Sequence, residues 1–156
     1  MRYILALPAL CGLTLLVSAH HADHHLPDPR LTPGAFSPAV TQQTLRATIC
    51  RRGYTASVRP PVAFTDALKR KQLADPRYGY SDRDPKHYEE DHRVPLELGG
   101  APRDPANLWP EPYAGPHGAH DKDALENATH RRLCAGSITL AQARATFTRP
   151  DWTRAQ

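Results

Sequence analysis

The stretch Tyr88-Glu89-Glu90-Asp91-His92-Arg93-Val94-Pro95-Leu96-Glu97-Leu98-Gly99-Gly100 decides how this sequence is read. It opens as a strand, and Pro95, which has no amide proton to give a ladder, breaks it. Gly99-Gly100 supplies a turn, and a loop follows through Pro102 and Pro105. Asn107-Leu108-Trp109-Pro110 is suited to a brief return strand. From Ala119 to Ala135 the chain reads as a long polar helix, closed by Gly136 where helices end on a left-handed residue. The order is strand, loop, strand, helix, and the fold class expected is α+β.

Working outward, the 156 residues fit one small domain. Met1-Arg2 gives a positive start, residues 3–18 are apolar and uncharged, and Val17-Ser18-Ala19 offers small residues for a signal peptidase. The apolar run is too short to span a bilayer comfortably. Residues 1–19 are therefore expected to be a cleaved signal peptide. The mature chain is expected to be periplasmic or secreted, with no membrane contact after cleavage. Residues 20–36 read as a His/Pro-rich linker, with His20, His21, Asp23, His24 and His25 forming a short chelating tract. Residues 37–156 form the folded domain.

Cleavage would remove Cys11 and leave Cys50 with Cys134, an even pair in an oxidising compartment. A disulfide is expected. Neither cysteine has the CxxC partner of a zinc ribbon. The net charge of +4 and the pI of about 9.1 are compatible with a polyanionic partner without demonstrating one.

Local signals place the flanking elements. Ser37 is positioned to cap a helix starting at Pro38, with Leu45 and Ile49 on one face, which would deliver Cys50. Tyr54 to Val58 alternates in strand fashion before Pro60-Pro61. Thr65 is placed to cap a helix over residues 66–73. Thr139 with Gln142 makes a capping box for a last helix through Phe147. Trp109 and Trp152 read as core or lid residues.

Asp91-His92, a proline, Gly-Gly, Asn107-Leu108 and then a charged helix resemble the ββα-metal finger of HNH endonucleases. The Leu-Glu-Leu-Gly-Gly and Asn-Leu-Trp-Pro phrasing is similar to that of exported members, and the likeness covers most of the mature chain. The resemblance implies a metal-dependent nuclease. His92 would be the general base and Asp91 a metal ligand, and Asn107 would brace the finger and orient His92. The helix would add a further ligand.

The chemistry asks for these residue types. Phosphodiester hydrolysis needs an activated water, charge neutralisation at phosphorus and help for the leaving alkoxide. A hard divalent cation on a carboxylate oxygen serves the last two. His92, projecting opposite to Asp91 on a strand, is free to take a proton. Among His117, His120, Asp123, Glu126, Asn127 and His130, one helical stripe holds His120, Asp123, Asn127 and His130, with Leu125, Thr129 and Leu133 roughly opposite. His120 is the first candidate ligand and Asn127 the second. The family commonly places a lysine three residues after the ligand, whereas Lys122 lies two after His120. The cofactor expected is one divalent cation, whether magnesium, manganese, zinc or nickel, and the partner expected is nucleic acid, DNA foremost. Two rivals stand beside this reading: an inactive nucleic-acid-binding module on the same fold, and a His-rich periplasmic metal-binding protein.

Overall fold

The computed structural model describes residues 26–114 and 118–155. The stretch expected to be a signal peptide, the histidine tract and His117 lie outside them. Among the described residues, no helix is long and apolar enough to cross a membrane.

The two strands expected from the sequence form a small antiparallel sheet, β1 (Tyr88–His92) and β2 (Leu108–Pro112). Its register pairs Glu89 with Glu111, Asp91 with Trp109 and His92 with Leu108. In a two-stranded sheet each strand has a free edge, so Pro110 and Pro112 sit in β2 without emptying a central ladder. The helices are α1 (Tyr54–Val58), α2 (Val62–Ala74), α3 (Ala119–Cys134) and α4 (Leu140–Thr148). The domain is thus mixed α and β, with the helices arranged around the hairpin.

The main core gathers Val40, Leu45, Ile49, Leu98, Leu133 and Phe147, with Trp152 closing it. A smaller cluster of Leu73, Tyr80 and Tyr88 holds α2 against the hairpin. Polar bonds reinforce that contact: Gln72 Nε2 donates to Leu108 O at 2.8 Å, and Tyr80 OH donates to Pro110 O at 2.6 Å. Trp109 and Trp152 are both buried, as core residues.

The turn between the strands depends on two glycines. Gly99 has φ +77°, a conformation that side chains disfavour. A Cβ on Gly100 would lie 1.8 Å from Val94 O and 2.7 Å from Asn107 Nδ2, so the loop closes only because Gly100 has none.

At its C-terminal end the chain follows its local signals. Helix α3 stops at Cys134, with Gly136 at φ +76°, and α4 starts with the Thr139–Gln142 capping box. Cys50 and Cys134 form a disulfide across 84 residues of sequence. It pins the segment before α1 to the end of α3.

Several expectations fail at the N-terminal side. The helix expected from Pro38 is a series of turns with a single 3-10 turn, Leu45–Ala47. Leu45 and Ile49 are buried, so their spacing tracked burial correctly. The threonines redirect the backbone: Thr44 Oγ1 donates to Ala39 O and accepts from Thr41 N, local bonds that compete with a helical ladder. Tyr54–Val58 is helical rather than extended, because Tyr54 and Val58 also satisfy the four-residue spacing of a helix face. Helix α2 starts three residues before Thr65, where Pro61 sets the entry, and Thr65 bonds back to Val62 O.

Packing also begins before Ser37. Thr32 is buried, Gly34 N donates to Ala106 O at 2.8 Å, and Phe36 bridges to Gly100. The described part of the presumed linker therefore lies against the domain. Arg93 gathers it in, donating to Thr32 O and to the carbonyls of Phe147, Thr148 and Arg149.

Candidate functional site

The end of β1, the loop after it and one face of α3 enclose a cavity of about 380 Å³. Its walls carry the carboxyl groups of Glu89, Asp91, Glu97, Asp123 and Glu126, together with His92 and Asn127. A larger cavity, about 480 Å³, lies elsewhere between Leu26, Tyr78, Tyr80 and Pro150. Its charged rim residues Arg30 and Arg77 are already paired with Asp28 and Asp75. The reactive groups are concentrated in the smaller cavity.

Asp91 and His92 border the same space. Both occupy the last positions of β1, and both line the cavity. The His92 ring is buried, and Nε2 lies 3.0 Å from Pro102 O. A carbonyl only accepts, so Nε2 carries the proton and Nδ1 keeps its lone pair. Burial lowers the His92 pKa below its ordinary value, with Asp91 pulling the other way. The ring is therefore neutral near pH 7, the state a proton acceptor needs.

Asn107 does not touch this chemistry. It is 0% exposed, and its side chain is spent on backbone. Oδ1 accepts from Val94 N at 2.9 Å and Ala35 N at 3.3 Å, while Nδ2 donates to Val94 O at 3.0 Å and Ala101 O at 3.1 Å. It braces the loop that ends in Pro102, whose carbonyl holds His92. Its contacts are with the loop and not with the cavity.

The two helix candidates separate. His120 is exposed and does not border the cavity. Asn127 does border it, with Nδ2 donating to Asp123 O at 2.8 Å and the amide oxygen left for another partner. The helix is turned so that Lys122, Glu126, Thr129 and Leu133 form the inward stripe. His130 does not line the cavity: its Nε2 lies 2.9 Å from Ile49 O and 3.3 Å from Cys134 Sγ, while its Nδ1 lies 3.8 Å from Glu97 Oε2.

Lys122 is the residue the sequence reading missed. It is 1% exposed and its ammonium bonds Asp91 Oδ2, Glu126 Oε1 and His92 O, with Glu111 Oε2 at 3.7 Å. The signal was present in its spacing, since positions 122 and 126 continue the core stripe of Thr129 and Leu133. Burial alone would pull the Lys122 pKa down, but the carboxyls of Asp91, Glu126 and Glu111 raise it well above its ordinary value. Burial would likewise raise Asp91, yet Lys122 holds it far below the usual carboxylate range. Burial pushes Glu126 up to about 8 and Glu111 well above the usual range, in each case against the opposing pull of Lys122.

Oxygen donors dominate this cavity, and such donors suit a hard divalent cation. A second group lies nearby. The ligand atoms of Cys50, His130 and Cys134 fall within 4.8 Å of one another and could hold a metal ion. With the two sulfurs joined as a disulfide, only the His130 nitrogen remains to serve as a donor there.

No protein-family model, curated protein or solved structure matches this chain.

Proposed function

We propose that this chain is an exported, metal-dependent endonuclease that hydrolyses phosphodiester bonds of DNA, built on a ββα finger of the HNH kind. The observation that carries the reading is the meeting of Asp91 and His92 at one oxygen-rich cavity between the hairpin and α3. Asp91 keeps one oxygen clear of Lys122, and Glu126, Asp123 and Asn127 add oxygen donors from the helix. This donor set fits magnesium or manganese better than zinc, which favours nitrogen and sulfur. Such a cation, when bound, neutralises charge on the phosphoryl group and the departing oxygen.

The chain's own residues then have separate tasks. His92 accepts the proton of the attacking water at Nδ1, and Pro102 O keeps that tautomer by accepting from Nε2. Asp91 and Lys122 fix the helix against the strand, so the oxygen donors stay in register with the base. Asn107 holds the loop that carries Pro102.

One observation favours a second reading, a nucleic-acid-binding module without turnover. The Lys122 ammonium already satisfies one Asp91 oxygen, as a metal would. Purified mature protein incubated with plasmid DNA separates the two. The enzyme nicks DNA with magnesium or manganese and stops with chelator; a binder retards DNA without nicking it under any metal. Nicking that persists in excess chelator would remove the metal from the reading.

A further inference from the structure

Helix α1 and its C-cap contribute two residues to the cavity wall, Thr55 and Arg59, spaced one turn apart. Among the described residues Arg59 is the only arginine or lysine on that wall, facing five carboxyl-bearing residues. Salt bridges would be expected there. Among the described residues, however, no carboxylate oxygen lies within ion-pair distance of the Arg59 guanidinium, although its field reaches Glu89 and His92. Its backbone is fixed: Arg59 N donates to Thr55 O at 3.2 Å, and the buried Pro60 with Pro61 holds the chain extended beyond it. An exposed guanidinium is thus held over an acidic cavity without being neutralised by it.

We infer that Arg59, with the Thr55 hydroxyl beside it, grips the backbone phosphate of the nucleic acid at the mouth of this cavity. The inference rests on the nuclease reading and adds the element that recognises substrate. A cavity walled by carboxyl groups repels a phosphodiester, and a cation on its floor offsets that repulsion only at the reacting oxygen. A second positive group at the rim, with the planar fork of guanidinium, supplies paired donors to the non-bridging oxygens. Thr55 adds a neutral donor that carries no charge to compete for the metal. The division of labour is spatial: oxygen donors and base on the hairpin and α3, phosphate grip on α1.

The test compares wild type, Arg59→Ala, Arg59→Lys and Thr55→Val for cleavage of a short DNA duplex with manganese across a salt series. Manganese affinity is measured by calorimetry on the same preparations. Duplex binding is read by fluorescence anisotropy with each α1 change placed in a His92→Ala background. Arg59→Ala is expected to raise KM about ten-fold near 0.1 M salt with a smaller change in kcat. Its log-log salt slope for binding should fall by about one phosphate contact. Manganese affinity should stay within about two-fold, because neither residue supplies a metal donor. Arg59→Lys should recover part of the loss and Thr55→Val should show a smaller KM effect. An active wild type whose KM and salt slope are unchanged in Arg59→Ala overturns this inference alone. A wild type that neither binds nor cuts DNA with any metal overturns the nuclease reading and this inference with it.

Discussion

Lys122 of α3 and Asp91 of β1 form a partly buried ion pair that joins the helix to the hairpin beside the cavity. The same ammonium reaches Glu126 one turn on and the carbonyl of His92. A single side chain thereby sets the distance between the strand end and the helix.

Replacing Lys122 with Met should destabilise the fold by about 3–5 kcal/mol, because Asp91 is left charged and buried without its partner. Chemical denaturation measures the loss. Adding Asp91→Asn to the same chain should recover part of it, since the unpaired charge is then gone. A Lys122→Met protein as stable as wild type would show that the pair holds nothing together.

His92→Ala should reduce the cleavage rate by about 10²–10⁴-fold while leaving manganese binding in place. Asp91→Ala should weaken manganese binding as well as rate. The base must be neutral to work, and burial lowers its pKa, so wild-type activity should rise with pH below about 6.5 and level off by neutrality. Steady-state rates from pH 4.5 to 8 read this directly. A rise centred well above neutral pH would assign the titration to a different group.

Changing both Cys50 and Cys134 to Ser should cost about 4–5 kcal/mol, the chain-entropy value for closing a loop of this length. The disulfide spans 84 residues and links the first packed segment to the end of α3. Thermal melts with and without reductant should reproduce the difference in the wild-type chain. Equal melting points would remove the bridge as a source of stability.

Glu90 does not line the cavity, and among the described residues neither of its buried oxygens has a hydrogen-bond partner. Burial pushes its pKa up to about 9, with Asp91 adding to the shift. The folded state therefore holds this proton more tightly than the unfolded chain does. The associated stability is complete below the unfolded value near 4.5 and is lost as pH rises toward 9. Glu90→Gln should melt close to wild type at pH 4.5 and progressively higher than wild type between pH 6 and 9. A melting difference that is flat across that range would place Glu90 in contact with water.

Much of the hairpin and its helix was legible because local chemistry dictates them. Pro95, Gly99-Gly100 and Gly136 each impose one backbone solution, and the capping box does the same for α4. The segment from Ser37 to Val58 was misread for a physical reason. Its apolar spacing satisfies more than one conformation, and threonine side chains bonding local backbone decided between them. The cavity was half legible. Asp91, His92 and Asn127 were marked by residue type, whereas Lys122 was passed over because buried lysine is rare and shows only as a position on a stripe. Thr55 and Arg59 could not be seen at all, because contact between α1 and the hairpin is made by the tertiary fold.

Arg93 follows His92 directly, and its guanidinium draws in carbonyls from the first packed segment and from the last turn of α4. His92 is thus moored, through one peptide bond, to regions more than fifty residues away on either side. Fraying at the end of α4 would slacken that mooring and let the imidazole drift, so under the proposed nuclease function a disturbance at a distant helix terminus would register as lost turnover before it registers as unfolding.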